Sequence, residues 1–166
     1  MNYQLTFPQT LLGTIVLPAS KSISARALIM GALAGNCSLS NLSDCDDTRV
    51  LRKALNERLP EIDIMAAGTA MRFATAYFAT CEGETHVITG TARMQQRPIQ
   101  VLVDALRTLG ADIAYEGNEG YPPLRITGKT LTGGDVDLPA NVSSQYISAL
   151  LMIGPTLKNG DRKSVV

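Results

Sequence analysis

Three stretches of the chain carry apolar or small residues on every face of a helical repeat: residues 26–34, 70–80 and 146–153. A helix at a protein surface keeps a polar stripe, and one without a stripe is buried. The pattern therefore predicts three inner helices. Each is entered through small polar residues: Ser20, Ser22 and Ser24 with Lys21 and Arg26, then Gly68 and Thr69 with Arg72, then Ser143, Ser144 and Gln145. A serine oxygen can satisfy the unbonded N–H groups of a first helical turn, and Ser20 or Ser22 is placed to do so. Gly35 and Asn36 are a stop signal for the first inner helix.

Elsewhere the period changes. Residues 48–59 and 98–109 show one apolar and one charged face, as amphipathic helices do, with Pro98 suited to a first helical position and Gly110 to the position after the end. Short strands are predicted at 3–7, 13–17, 37–42, 62–65, 86–89, 112–115, 124–127 and 136–138. Small polar turn, buried helix, strand, charged turn, amphipathic helix and strands recur in that order. Two copies are nearly complete, and a third stops near residues 160–163. A period of a few tens of residues indicates stacked supersecondary units. The predicted fold class is α/β, with the three apolar helices buried.

Composition narrows the chemistry. The chain has 166 residues, enough for one sizeable core, and 15 Lys plus Arg balance 15 Asp plus Glu, so nothing points to a nucleic-acid partner. Cys37, Cys45 and Cys81 are odd in number and lack CxxC spacing, which argues against a disulfide framework or zinc and for reduced thiols. With neither a leader pattern nor a membrane-length apolar run, the expected location is cytoplasmic. His86 is the sole histidine and reads as structural. Asp44, Asp46 and Asp47 precede a helix and suit its dipole better than a metal loop; they are expected at the far end of the first inner helix from its start.

One capped helix start with a lysine and an arginine reads equally well as a solvated surface. Three such starts do not. If the inner helices pack side by side, their positive ends converge, and with Lys21, Arg26 and Arg72 they form a site for a polyanionic small molecule.

In chain order, LPASKSISARAL, AAGTAMRF, RMQQRPI, YPPLRI and SSQYISALLM resemble the N-terminal half of the 5-enolpyruvylshikimate-3-phosphate synthases, from about residue 14 to about residue 155. The resemblance implies an enolpyruvyl-transferase fold of two globes, each of three βαβαββ units. Residues 14–166 would form the shikimate 3-phosphate-binding globe with its third unit incomplete. Residues 1–13 would be a strand segment belonging to the other globe, and that second globe is absent from this sequence. The implied reaction moves the enolpyruvyl group of phosphoenolpyruvate to the 5-hydroxyl of shikimate 3-phosphate and releases phosphate, with no metal and no organic cofactor.

By motif position, the resemblance makes Lys21 a catalytic residue touching both substrates. Ser22, Arg26, Ser143 and Ser144 become shikimate 3-phosphate ligands, Gly68 and Arg97 phosphoenolpyruvate ligands, and Gln145 a residue between the two. Ala66 and Phe73 depart from the family pattern, which commonly has asparagine and proline there, and the stretch between Leu59 and Ile62 is short enough that outer strands of the first unit are expected to be missing. The related UDP-N-acetylglucosamine enolpyruvyl transferases fit less well, because their lysine-asparagine motif and reactive cysteine have no match. The family's acid/base groups belong to the second globe, so this chain alone is expected to be inactive. The alternative is a non-catalytic domain that binds shikimate 3-phosphate only; the oligomeric state is left open.

Overall fold

A computed structural model describes residues 3, 4, 6, 10, 12–139 and 143–160. The elements are helices α1 (Lys21–Ala34) and α2 (Asp46–Glu57), strand β1 (Glu61–Asp63), helix α3 (Gly68–Ala79), strand β2 (Thr85–Thr89), helices α4 (Ala92–Gln95) and α5 (Gln100–Thr108), strands β3 (Asp112–Tyr115) and β4 (Leu124–Thr127), and helix α6 (Ser144–Ile153), which runs into a 3-10 turn at Gly154–Thr156.

The stretch from β1 to β4 forms one complete βαβαββ unit. Its sheet runs β1-β2-β4-β3, with β1 parallel to β2 and the other pairs antiparallel. A parallel pair needs a crossover, and α3 supplies it. Alternation along the strands turns Ile62, His86, Ile88, Ile113, Leu124 and Ile126 inward, and α3 packs against β2 and β4. The other sides of α3 meet α1, α2, α5 and α6. Every residue of α3 except Thr69 is buried, as its unstriped sequence predicts. Alanines and threonines make this possible, because short side chains let neighbouring helices approach closely.

The other two inner helices are buried on one side only. In α1, Ser24, Ala25, Leu28 and Ile29 are buried, while Ile23 is 70% and Met30 59% exposed; in α6, Leu151 is 41% exposed. The expectation of three fully buried helices is thus corrected for α1 and α6. The reason lies in the first unit, where the predicted strands 13–17 and 37–42 form no ladder. Ile15, Val16 and Leu17 are exposed, and Asn41 takes a left-handed φ of 53° that interrupts a strand. Without a sheet over it, the outward face of α1 stays uncovered. Residues 136–138 are likewise not a strand, and only one unit, not two, has its sheet among the described residues. Pro98 lies before α5, whose N-cap is Ile99, so the predicted helix start is corrected by two residues. The predicted strand 3–7, the turn residues Asn141 and Val142, and the charged turn after Gly160 lie partly or wholly outside the described residues.

His86 is structural, as expected. It is buried against the Phe78 ring (centroids 4.4 Å apart), and its ring nitrogens lie 2.7 Å from the Leu59 carbonyl and 2.9 Å from Glu84. No helix among the described residues is long and apolar enough to cross a membrane.

Phe78 is fully buried, so Phe78→Ala should lower the unfolding free energy by about 3–5 kcal/mol in urea titration. Met30→Ala on the open face of α1 should cost no more than about 0.5 kcal/mol. Similar losses for the two would show that α1 is covered after all.

Candidate functional site

Helix α1 begins five residues earlier than its apolar run, because Ser20 caps it by accepting from the Ile23 N–H at 3.4 Å. Lys21, Ser22 and Ile23 therefore form a first turn, and Arg26 stands one turn above Ser22 on the same face. The Arg26 guanidinium is held on several sides. Nη1 donates to Ser22 Oγ (2.6 Å) and to the Ser22 carbonyl (3.0 Å), and Nη2 donates to Ser148 Oγ of α6 (2.8 Å). Its Cζ lies 5.3 Å from the centroid of the Phe73 ring, which projects from α3. One cation thus joins the three inner helices near their starts.

The second start is organised by a buried cation. Arg72 donates from Nη1 to the Gly68 carbonyl (3.1 Å) and from Nη2 to the Pro98 carbonyl (3.0 Å). The Tyr146 hydroxyl donates to the same Pro98 carbonyl (2.9 Å), and the Arg72 guanidinium lies 5.9 Å from the Tyr146 ring centroid. Burial pulls the pKa of Arg72 downward; the charge of Arg97 adds to that pull and Tyr146 opposes it. Arg72 is therefore a brace between α3 and the turn that follows Arg97, rather than the surface cation expected from the sequence. A Cβ on Gly68 would lie 2.9 Å from Arg97 Cζ, and nearer still to Nη1, so the Arg97 head rests directly on the first turn of α3. Only a residue without a side chain permits that approach.

At the third start, Ser143 Oγ accepts from the Gln145 N–H (3.3 Å) and caps α6. Ser143 and Ser144 are exposed and Gln145 is half-buried. Ser144 and Ser148 are four residues apart and share a helix face, which places Ser144 one turn from the Arg26 contact.

Lys21 brings a correction. Its Nζ lies 3.3 Å from Asp47 Oδ1, so Asp47 sits beside the start of α1 and not at the far end. The geometry of the return explains it. A 14-residue helix is about 21 Å long, and the segment 35–45, not drawn into a strand, can reach about 36 Å. The chain therefore runs back along α1. Ser43 N donates to the buried Ser24 Oγ (2.8 Å), which pins it there before α2 begins. Asp46 and Asp47 also occupy the first turn of α2, where carboxylates complement the dipole.

Ion pairing distinguishes most of the outer arginines from those in this region. Arg49, Arg58, Arg107 and Arg125 each meet a carboxylate: Asp46, Glu84, Asp104 with Glu119, and Glu116. Among the described residues, Arg26, Arg72 and Arg97 meet none, as is also true of the exposed Arg52 and Arg93; the partners of Arg26 and Arg72 are hydroxyls, carbonyls and aromatic faces, and the Arg97 head lies against Gly68. Charge left uncompensated beside capped helix starts attracts anions. Two surface clefts, one lined by Val50, Lys53 and Ile62 and the other by Val101, Asp104 and Val136, include no residue of these starts. The candidate site is accordingly an open cationic shelf. No group of three or more His, Cys, Asp or Glu among the described residues could hold a metal ion. Asp47, Tyr146 and Ser148 take part in the site without having been singled out for it from the sequence, and Phe73 was noted only as a departure from the family pattern. Of the first three, only Ser148 carried a local signal, its spacing of four from Ser144.

Comparison with known proteins bears on the family and the fold. The family EPSP synthase (3-phosphoshikimate 1-carboxyvinyltransferase) matches residues 5–62 and 50–166. A 3-phosphoshikimate 1-carboxyvinyltransferase of Bacteroides fragilis is 66% identical over 161 residues, covering 96% of this chain and 39% of that protein. One from Shewanella piezotolerans is 42% identical over 173 residues, covering 88% of this chain and 40% of its own length. The EPSP synthase structure from Acinetobacter baumannii superposes with a TM-score of 0.78 at 25% identity, covering 87% of this chain and 38% of that one. The chain thus spans about two-fifths of the length of the curated relatives it matches.

Gly68→Ala should leave unfolding free energy within about 0.5 kcal/mol of wild type, since the atoms it meets are the far end of a flexible side chain. It should displace the Arg97 head, read as a shift of the Arg97 side-chain NMR resonances. Unshifted resonances would mean that Arg97 does not rest on Gly68.

Proposed function

The chain belongs to the EPSP synthase family, and on that premise we propose that it forms the shikimate 3-phosphate-binding part of a 3-phosphoshikimate 1-carboxyvinyltransferase acting in aromatic amino-acid biosynthesis. In this reading, residues 14–166 are that globe and residues 1–13 belong with a second one. The substrates are shikimate 3-phosphate and phosphoenolpyruvate, with no cofactor, and the location is cytoplasmic. The observation that carries the reading is the convergence of three helix starts on arginines that have no carboxylate partner.

Each side chain has a physical task. Arg26, fixed by Ser22 and Ser148, offers a planar fork of N–H donors to the phosphate of shikimate 3-phosphate. Ser143, Ser144 and Ser22 add hydroxyl donors, and the N–H groups at the start of α6 add the helix dipole. Arg97, seated on Gly68, faces phosphoenolpyruvate, whose carboxylate and phosphate both suit a guanidinium. Lys21 supplies a compact charge between the two ligands, and Gln145 an amide that donates to one and accepts from the other. Transfer adds the 5-hydroxyl oxygen to the enol carbon while the methylene gains a proton; phosphate then leaves as a proton is lost from the new methyl group. These transfers need placed acid and base groups. Among the described residues, Asp47 is the one carboxylate paired with a cation of the shelf, and it is engaged with Lys21.

A second reading is that this chain by itself binds shikimate 3-phosphate and turns nothing over. The exposure of Lys21, Arg97, Ser143 and Ser144 favours it, because contacts open to water are weaker than those in a closed cleft. Calorimetry tests binding: Arg26→Ala should weaken shikimate 3-phosphate by about 1.5–3 kcal/mol, the range of a charge-assisted hydrogen bond, and unchanged affinity removes Arg26 from the site. A phosphate-release assay with both substrates, on protein whose native mass is known, separates the two readings. No release is expected from the single chain. Turnover of about 1–10³ per second would place the acid/base groups within it or in a partner copy.

A further inference from the structure

Among the described residues, Arg26 is the only arginine whose guanidinium has a hydroxyl of its own helix, a hydroxyl of a second helix and an aromatic face of a third as neighbours. We propose that Phe73 and Ser148 are positioning residues for Arg26, setting the plane and rotation of its guanidinium before a phosphorylated ligand arrives. The proposal rests on the reading that Arg26 binds the phosphate of shikimate 3-phosphate.

The argument starts from the donor count. Arginine has five N–H groups. Ser22 takes those of Nη1 and Ser148 takes one of Nη2, which leaves Nε–H and one Nη2–H without a protein partner among the described residues. An aromatic face fixes a guanidinium plane without consuming a donor or cancelling the charge, whereas a carboxylate in that place would do both. Phe73 suits this task because it has no accessible surface and sits in the most enclosed helix, so its ring cannot turn aside. Ser148 then fixes rotation within that plane, from α6, the helix that also carries Ser143 and Ser144 at its start. A side chain already held in its binding geometry loses little rotamer freedom when the ligand binds.

The competing view is that Phe73 only fills the core and Ser148 only satisfies a polar contact. Calorimetric titration of shikimate 3-phosphate into the 166-residue protein, combined with ¹⁵N relaxation of the Arg26 Nε–Hε group in the ligand-free state, separates the views. Phe73→Leu keeps an apolar core residue and removes the ring; it should weaken binding about threefold to tenfold. Ser148→Ala should weaken it about twofold to fivefold, and Ser148→Thr, which keeps the hydroxyl, should restore it. In an Arg26→Ala background neither substitution should cause further loss. Both single variants should lower the Nε–Hε order parameter of Arg26. Losses that persist undiminished without Arg26, or an unchanged order parameter, overturn the proposal. Because the relaxation measurement needs no ligand, it decides the positioning roles even if the wild type fails to bind shikimate 3-phosphate, a result that would instead overturn the proposed function. Should Phe73→Leu not fold, Ser148→Ala and Ser148→Thr, altered only at a half-buried hydroxyl, carry the same test.

Discussion

The structure depends on the enclosure of α3. A helix with no polar stripe is stable in water only if it is covered all round, and α3 is covered by its own sheet on one side and by α1, α2, α5 and α6 on the others. That requirement places the remaining elements. The β1-to-β2 crossover must pass through α3, the β3–β4 hairpin must extend the sheet beside β2, and α1 and α6 must lie along α3 with their starts near its own. The candidate site is a consequence of this packing. Arg26 reaches Phe73 only because α1 lies on α3, and Tyr146 shares the Pro98 carbonyl with Arg72 only because α6 does as well.

Electrostatics then distinguishes the shelf from the rest of the surface. Four outer arginines, Arg49, Arg58, Arg107 and Arg125, pair with carboxylates, an arrangement that adds little to stability where it is exposed. Those at the helix starts are held by neutral groups instead, so their charge is not cancelled. Burying Arg72 has a cost, visible in the downward pull on its pKa, to which the nearby charge of Arg97 adds. Its hydrogen bonds to the Gly68 and Pro98 carbonyls offset part of that cost.

Much of this was legible in the sequence, and unevenly so. Strands 112–115 and 124–127 were placed to the residue, since alternation in a half-buried hairpin leaves little freedom. A serine cap at Ser20 or Ser22, the stop at Gly35 and the structural histidine followed from local chemistry. The strands expected at 13–17 and 37–42 were not found, because alternation makes a strand only where a neighbouring strand accepts its hydrogen bonds, and among the described residues none lies beside either segment. Arg72 was misjudged because a basic residue on an otherwise apolar helix reads as an exit to solvent; its two carbonyl partners are distant in the chain or hidden in the helix itself. Asp47 was placed at the wrong end because helix length is readable from sequence, while the path back along the helix is set by one hydrogen bond, Ser43 to Ser24.

The three cations available to a ligand are not equivalent, and the difference follows from their partners. Arg26 is held by hydroxyls and a ring, and Arg97 lies against a glycine, so neither must break an ion pair to receive an anion. Lys21 must. Its side chain is 52% exposed and its contact with Asp47 is 3.3 Å, an exposed pair of about 0.2–1 kcal/mol. A charge-assisted hydrogen bond to a ligand contributes about 1.5–3 kcal/mol, enough to draw the ammonium away from Asp47. The shelf therefore combines Arg26, whose place is set by packing, and Arg97, exposed against a glycine, with Lys21 on a flexible stem whose place is set by a competitor. On the proposed reading, the two arginines would recognise the phosphate groups, and Lys21 would exchange its contact with Asp47 for one with the ligands.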